Sequence, residues 1–393
     1  MFKRARSTSP YMLVEAEPEE ASYKYYIRTY HTNSNLYVQT RDKTECDLRR
    51  TFLPYKESYY YMLNGVIYEG KNNTSASKYF TKIKDSNLIS MGGQGDNGGL
   101  LDSGKIELFE SSFITTATSS EDGFEQLSWV YNGGERRYSS YKWIELEVGY
   151  AIKNKQLYRV EGGGTLYVSK ITGGENCTNV RGYWSNYVAH NFYGSYYNKY
   201  YALCICDGKL YQIKNRTLTL IETEYPIEKF AEQMYSGYSF ENSEQGNKYG
   251  PYLIDTQGNA FYLNGYSLSL TKLPSKYQKI CMDNMGYTYS YLVGVYGLSN
   301  GRIKVINNAT ETDLGIEGVQ DVCGALRASS ASTGQGFYAK DKTIYCLSRV
   351  EDSSNEVKST KVIDLPEEEE LVSLQGGTYD GSYPIFVITR VKQ

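Results

Sequence analysis

The segment Tyr201 to Ile213, YALCICDGKLYQI, holds two alternating apolar runs joined by Asp207-Gly208, and it recurs along the chain. Alternation at period two is the pattern of a half-buried strand, and Asp-Gly between two such runs supplies the positive φ angles of a tight hairpin turn. Later copies are YLIDTQGNAFYL (252–263), LVGVYGLSNGRIKVI (292–306) and GFYAKDKTIYCL (336–347). Earlier ones are YIRTYHTNSNLYV (26–38), YYYMLNGVIYE (59–69), GLLDSGKIEL (99–108) and VGYAIKNKQLYRV (148–160). The middle residues of the second strands, Tyr37, Tyr68, Glu107, Tyr158, Tyr211, Tyr262, Lys304 and Tyr345, are spaced by 31, 39, 51, 53, 51, 42 and 41 residues. Periods of this size predict a solenoid or a propeller.

A second phrase follows the hairpins, as in TKLPSKYQKICMD (271–283), TDLGIEGVQDVCGA (312–325), IDLPEEEELVSLQGG (363–377), IETEYPIEKFAEQM (221–234) and IKDSNLISMGG (83–93). It supplies a strand, a turn marked by Pro or Gly, and another strand, so each unit has the four strands of a propeller blade. No stretch keeps apolar residues at i, i+3, i+4 and i+7 for more than about ten residues, the length a regular helix needs. The expected fold is all-β, a single β-propeller of four-stranded blades over 23–393, behind an extended arm of residues 1–22. The final PIFVITR (384–390) is a first hairpin strand without its second. Pairing beside 26–30 or 36–40 closes the ring and removes two exposed edges. The short interval between Tyr37 and Tyr68 favours the first two hairpins sharing one blade, giving seven blades, with eight as the alternative.

Over 201–390 the pattern of strand, Asp-Gly turn, strand ending in an aromatic residue, apolar-x-Leu-Pro phrase and further strand resembles the RCC1-like propeller repeat. The resemblance implies the fold. Gln212-Ile213 stand where that family has Trp-Gly, so its nucleotide-exchange activity has no residue to rest on.

Other classes are excluded by composition. A net charge of -3 lacks the basic footprint of a nucleic-acid binder. A mean hydropathy of -0.54, with no apolar run near the roughly 20 residues a bilayer needs, argues against membrane insertion. The opening MFKRARSTSPYMLVEAEPEE has no apolar core of a signal peptide. Seven cysteines (Cys46, Cys177, Cys204, Cys206, Cys281, Cys323, Cys346), with no CxxC, predict mostly free thiols in a reducing compartment. Cys204 and Cys206 face the same way on a strand and are expected to be buried as small apolar groups. With His31 and His190 the only histidines, neither a histidine-based mechanism nor a multi-histidine metal site is expected, and no cofactor or metal is predicted.

Catalytic motifs fail in detail. SSEDGFEQLSW (119–129) approaches a sialidase Asp box, but Asp122 runs directly into Gly123 and Trp129 comes too late. No carboxylate pair is set apart for glycoside hydrolysis, which needs two about 5 to 10 Å apart. Asp102, Asp207, Asp255 and Asp341 fall in or near hairpin turns, where Asx turns account for them. Glu367 to Glu370 read as a solvated corner after Pro366. Gly162 to Gly164 lack the following helix of a phosphate cradle. Asn72-Asn73-Thr74-Ser75 matches the glycosylation pattern twice. The chain is expected not to be an enzyme.

The long segments between each unit's last strand and the next hairpin are rich in Tyr, Trp, Ser, Asn and Gly, the mixture that combines flat contact area with adaptable hydrogen bonding. They include 92–99, 132–142, 181–200, 235–250, 284–290, 325–336 and 376–383, and must share one face of the disc. The candidate ligand-binding residues there are Tyr183, Trp184, Tyr187, Tyr193, Tyr196, Tyr197, Tyr235, Tyr238, Tyr287 and Tyr289. The arm begins with Lys3, Arg4 and Arg6 and turns acidic after Pro10, as a segment that orders on a neighbouring subunit of an assembly would. The Tyr, Asn, Lys, Ser and Gly bias and the degenerate repeats resemble structural proteins of bacteriophage particles. The expected role is a virion propeller that docks on other virion proteins or recognises host-surface polysaccharide. A cytoplasmic interaction propeller is the alternative, and a carbohydrate-active enzyme a third.

Overall fold

A computed structural model describes residues 23–33, 36–51, 60–69, 81–92, 98–110, 114–129, 135–139, 142–162, 165–183, 187–190, 195–198, 201–214, 216–231, 251–264, 268–282, 295–307, 309–324, 326–327, 335–349, 357–376, 378–379 and 385–393. In chain order the strands are β1 (Tyr23–Asn33), β2 (Leu36–Glu45), β3 (Tyr60–Leu63), β4 (Val66–Glu69), β5 (Thr81–Asp85), β6 (Leu88–Gly92), β7 (Gly98–Leu101), β8 (Ile106–Glu110) and β9 (Ile114–Thr118). Next come β10 (Gln126–Trp129), β11 (Glu135–Ser139), β12 (Lys142–Lys153), β13 (Gln156–Gly162), β14 (Leu166–Lys170), β15 (Cys177–Tyr183), β16 (Tyr187–His190), β17 (Ser195–Asn198), β18 (Tyr201–Cys206), β19 (Lys209–Lys214) and β20 (Thr217–Ile221). Then follow β21 (Ile227–Phe230), β22 (Tyr252–Asp255), β23 (Asn259–Leu263), β24 (Leu270–Lys276), β25 (Lys279–Met282), β26 (Val295–Ser299), β27 (Arg302–Asn307) and β28 (Thr310–Asp313). The last are β29 (Val319–Gly324), β30 (Leu326–Arg327), β31 (Gln335–Lys340), β32 (Thr343–Arg349), β33 (Val357–Asp364), β34 (Glu370–Gly376), β35 (Thr378–Tyr379) and β36 (Ile385–Lys392). Among the described residues the one helical element is a single 3-10 turn, Leu48–Arg50, capped by Asp47.

The strands form meandering antiparallel sheets of propeller-blade type: β6-β7-β8-β9, β10-β12-β13-β14, β15-β18-β19-β20, β21-β22-β23-β24, β25-β26-β27-β28, β29-β31-β32-β33, β34-β36-β1-β2 and the three-stranded β3-β4-β5. The fold is all-β and of the β-propeller class. Two units hold these sheets, β6 to β23 in one, β25 to β36 with β1 to β5 in the other, and the chain passes between them within β24.

Strand pairing corrects the expectation that the first two hairpins share a blade. β36 lies beside β1, with Ile27 opposite Ile388 and Tyr30 opposite Ile385, and β34 lies beyond it. The C-terminal strands thus supply half of that sheet, and β1-β2 the other half. The hairpin β3-β4 belongs to a separate sheet with β5.

Within each unit, successive sheets pack face to face. In the first, Leu100, Ile106 and Leu108 meet Trp129, Ala151 and Val160. Tyr150, Ile152 and Leu157 meet Val180, Cys204 and Ile213, and Leu203, Ile205 and Leu210 meet Phe230, Leu253 and Leu263. In the second unit, Tyr296 and Ile303 meet Val322, Tyr338 and Leu347. Phe337 and Ile344 meet Leu374, Val387 and Tyr30, and Phe386 and Ile388 meet Leu63. Sheets buried on both faces explain why β22 and β26 are buried at every position instead of alternating.

Five hairpin turns carry the recurrent chemistry, four between the second and third strands of their sheets and one between β3 and β4. Asn64-Gly65, Asn154-Lys155, Asp207-Gly208, Asn300-Gly301 and Asp341-Lys342 have positive φ at both residues, the two-residue turn whose twist matches the strands it joins. In all five the second carbonyl accepts a hydrogen bond from the stretch entering the next sheet: Ser86 N to Gly65 O, Cys177 N to Lys155 O, Ile227 N to Gly208 O, Val319 N to Gly301 O and Leu365 N to Lys342 O. A turn is thereby both the end of one sheet and the seat of the next. Five first strands share a further device, a register shift between Leu88/Ser90, Cys177/Asn179, Ile227/Lys229, Val319/Asp321 and Leu371/Ser373, which increases local twist.

Candidate functional site

In an antiparallel meander the first-to-second strand connection leaves a sheet at the end opposite its second-to-third turn. The pairs at that exit are Gly92-Gly98, Trp129-Gly149, Tyr183-Tyr201, Phe230-Leu253, Met282-Val295, Gly324-Gly336 and Gly376-Ile385. All seven open into the long connections singled out from the sequence, five of which carry tyrosine, so the long segments occupy one structural position.

Several of these exits are closely packed. Trp129 is buried at the mouth of its connection, and a Cβ on Gly149 or Gly98 would lie 2.7 or 2.9 Å from its indole. Tyr296 sits likewise against Gly336, where a Cβ would meet the ring at 2.9 Å. An aromatic ring on one strand and a glycine on the next interlock, which fixes where each connection starts. One glycine of the Gly162 to Gly164 run has the same role: a Cβ on Gly162 would strike Leu108 at 2.3 Å.

Four connections continue as strands. β11 pairs with the outer part of β12, Tyr138 opposite Trp143, so β12 runs past its sheet. β16 pairs with β17, placing Tyr187 opposite Asn198, Val188 opposite Tyr197 and Ala189 opposite Tyr196, and β11 comes alongside β17. In the other unit two connections join directly, β30 with β35 in parallel, Leu326 opposite Thr378 and Arg327 opposite Tyr379. The composition of these segments predicted contact surface but gave no sign of the added strands.

Of the candidate residues, Tyr183 ends β15 opposite Tyr201, and Tyr187, Tyr196 and Tyr197 lie on the β16-β17 hairpin. Trp184, Tyr193, Tyr235, Tyr238, Tyr287 and Tyr289 lie outside the described residues, as do Lys3, Arg4, Arg6 and the Asn72 to Ser75 motif. Tyrosine also builds the core: Tyr150, Tyr252 and Tyr296 are fully buried, and burial pushes the Tyr262 phenol up to about 12.

Several carboxylates are structural. Asp255 is buried and accepts hydrogen bonds from Gln257 N at 2.9 Å, Asn259 N at 2.8 Å and Asn259 Nδ2 at 2.8 Å, a closed Asx turn. The Ser119 to Trp129 segment is a corner between sheets, where Ser119 Oγ accepts from Ile106 N and donates to Glu121 O. The acidic run departs from the solvated corner expected of it. Glu367 is exposed, but Glu369 is buried, held by Arg28 Nη2 at 2.6 Å, Lys43 Nζ at 2.6 Å and Thr389 Oγ1 at 2.7 Å. Burial alone would raise its pKa, but these three donors hold it down at about 2. Asp321 takes Lys279 Nζ at 2.6 Å on one oxygen and Leu374 N at 2.6 Å on the other, tying three successive sheets.

All seven cysteines are buried. Five lie outside any disulfide, in keeping with the expectation of mostly reduced thiols, whereas Cys177 and Cys206 are joined in a disulfide across β15 and β18. The free Cys204 lies with its sulfur 3.6 Å from that of Cys206. The three sulfurs lie within 4.8 Å of one another, yet with two of them bonded and the Cys204 thiol pushed up to about 12 by burial they offer a metal no thiolate set. No helix among the described residues is long and apolar enough to cross a membrane.

No protein-family model matches the chain, and no curated protein does. Among solved structures the chain is similar to the Dos1 propeller, at TM-score 0.41 and 11% identity over 74% of each chain. It is also similar to the WD40 domain of SCAP from fission yeast, at TM-score 0.42 and 8% identity over 74% of this chain and 81% of that one. BBS1N in complex with ARL6DN gives TM-score 0.37 and 8% identity over 74% and 86%. At these values the likeness adds nothing to a functional reading, and the fold assignment stands on the sheets themselves.

Proposed function

We propose that the chain is a non-enzymatic binding protein: one propeller over 23–393 of eight blades, closed by the sheet that joins both termini, with residues 1–22 as an assembly arm. It serves in a bacteriophage particle, in the tail, the baseplate or the capsid decoration, where it docks on other virion proteins and recognises a host-surface glycan. The observation that carries this reading is the shared position of the seven long connections, five of them bearing tyrosine, at one end of their sheets. A rigid scaffold with variable, ring-rich loops at one strand end suits recognition, since aromatic side chains give contact area at low entropic cost. The non-enzymatic part is supported by the carboxylates whose pKa values are lowered: Glu311, Asp313, Asp364 and Glu369 are each engaged by a lysine or arginine within their own unit. The arm, the degenerate repeats and the composition support the virion setting.

Binding of the labelled protein to a panel of bacterial surface polysaccharides tests the reading. Wild-type binding that a Tyr196→Ala/Tyr197→Ala double variant loses by tenfold or more, at unchanged thermal stability, is the expected result. Absence of binding across the panel, together with absence of the protein from purified particles, would refute it.

A further inference from the structure

The last strand of each sheet is a solvent-facing edge, and unpaired edges are ordinarily protected by charge or proline. Most of them are here. β5 carries Lys82, Lys84 and Asp85; β24 carries Lys272, Pro274 and Lys276; β28 carries Glu311 and Asp313; β33 carries Lys358, Lys361 and Asp364; β2 carries Arg41, Asp42, Lys43 and Glu45. The edges β9 (ITTAT) and β20 (TLTLI) carry none, and β14 only Lys170 at its end. The large apolar side chains that the described residues expose lie on or beside these three strands: Ile114 at 61%, Tyr167 at 63%, Leu220 at 40% and Tyr225 at 39%. Threonine, leucine and isoleucine on an open, uncharged edge favour strand addition.

Of the three, β20 has the symmetry of a strand that pairs with itself. We propose that two copies of this chain associate through β20, antiparallel about a two-fold axis at Thr219. Counting outward from Thr219 in Arg216-Thr217-Leu218-Thr219-Leu220-Ile221-Glu222, Thr219 faces its counterpart, Leu218 faces Leu220, and Arg216 faces Glu222 of the second copy, on both sides of the axis. Thr-Thr, aliphatic and opposite-charge pairs are each favourable across antiparallel strands, and the contact is isologous as a two-fold requires. The flanking charges are available: Thr219, Leu220 and Glu222 are exposed, and the Arg216 side chain, 58% exposed, touches only Glu161 at 3.6 Å among the described ion pairs. The same operation on β14 sets Leu166 against Lys170, and on β28 it brings Glu311 and Asp313 of the two copies together. This surface is separate from the tyrosine-rich connections, so dimerisation and ligand recognition stand or fall independently.

Sedimentation velocity of the full chain over about 1 to 200 μM in low salt tests the proposal. One strand pair buries less than a standard interface of about 1,600 Å², so a salt-sensitive dimer with a dissociation constant of about ten to a hundred micromolar is expected. Thr219→Lys, which sets like charges on the axis, is expected to weaken it at least tenfold. Arg216→Glu and Glu222→Arg are each expected to do the same, and the double reversal to return within about threefold of wild type, with melting curves verifying folding throughout. A wild type that stays monomeric, a Thr219→Lys protein that dimerises as tightly as wild type, or a double reversal no better than the single changes would overturn it.

Discussion

Glu369→Gln isolates the contact that ties the two ends of the chain together. Arg28 on β1, Lys43 on β2 and Thr389 on β36 converge on this one buried carboxylate, 341 residues from Arg28 in sequence. The carboxyl falls from an ordinary 4.5 to about 2 in the fold, which corresponds to about 3 kcal/mol of stability at neutral pH. Breaking a buried ion pair by removing one partner costs a similar 3–5 kcal/mol, because the Arg28 guanidinium is left buried without its counterion. Since the folded pKa lies below the unfolded one, the contribution is fully present above about pH 4.5 and is lost as pH falls toward 2. Glutamine mimics the protonated acid, so wild type and variant should differ by about 6–12 °C in melting temperature at pH 7, for a cooperative unit of this size, and converge near pH 2. Circular dichroism melts from pH 7 to 2.5 measure both, with Glu370→Gln, whose partner Arg390 is nearer solvent, as a control expected to shift by about 1 kcal/mol or less. Equal melting temperatures at pH 7, or a gap that persists unchanged to the acid limit, would refute the reasoning.

Further outcomes follow from other contacts. Gly149→Ala puts a Cβ 2.7 Å from the Trp129 indole and should cost about 1–3 kcal/mol, read as a lower melting temperature with altered tryptophan fluorescence; an unchanged melt would contradict the interlock. Asp321→Ala removes the acceptor of Lys279 and of the Leu374 N–H at once and should cost about 3 kcal/mol or more, whereas Asp321→Asn should retain part of it; equal stability of all three proteins would count against the three-sheet tie. In denaturant without reductant, alkylation should label Cys46, Cys204, Cys281, Cys323 and Cys346 but not Cys177 or Cys206, and reductant should remove about 3–4 kcal/mol of stability for a loop of this length; labelling of all seven would show that the bond does not form.

What the sequence makes legible is whatever one strand or one turn determines by itself. The hairpins, their Asn-Gly and Asp-Gly turns and the pairing of PIFVITR with the N-terminal strands all follow from period-two alternation and the need to remove open edges. The sharing of sheets does not follow. Spacing alone placed the hairpins at 26–38 and 59–69 in one blade, because nothing local reveals that β34 and β36 already fill half of the β1-β2 sheet. The same gap explains Glu369: four consecutive glutamates read as solvated, and only long-range pairing brings Arg28 and Lys43 to the third of them.

Residue type separates core from site least well where one type serves both. Tyr252 and Tyr262 meet at 5.6 Å in the interior of a sheet, and Tyr338 stacks on Tyr345 at 4.9 Å with its hydroxyl 2.6 Å from Ser359 Oγ. These rings stand opposite each other on adjacent strands, Tyr252 with Tyr262 and Tyr338 with Tyr345, and that cross-strand pairing marks them as packing groups. Tyr187, Tyr196 and Tyr197 lie instead on a hairpin inserted into a connection, β16-β17, whose two strands pair with each other and, among the described residues, with no other strand. A two-stranded ribbon of this kind is marginal on its own, so a sheet end that carries one spends stability on it. That cost, set beside the closely packed exits below, is the physical argument for looking for a ligand at the connections before looking for a catalyst in the core.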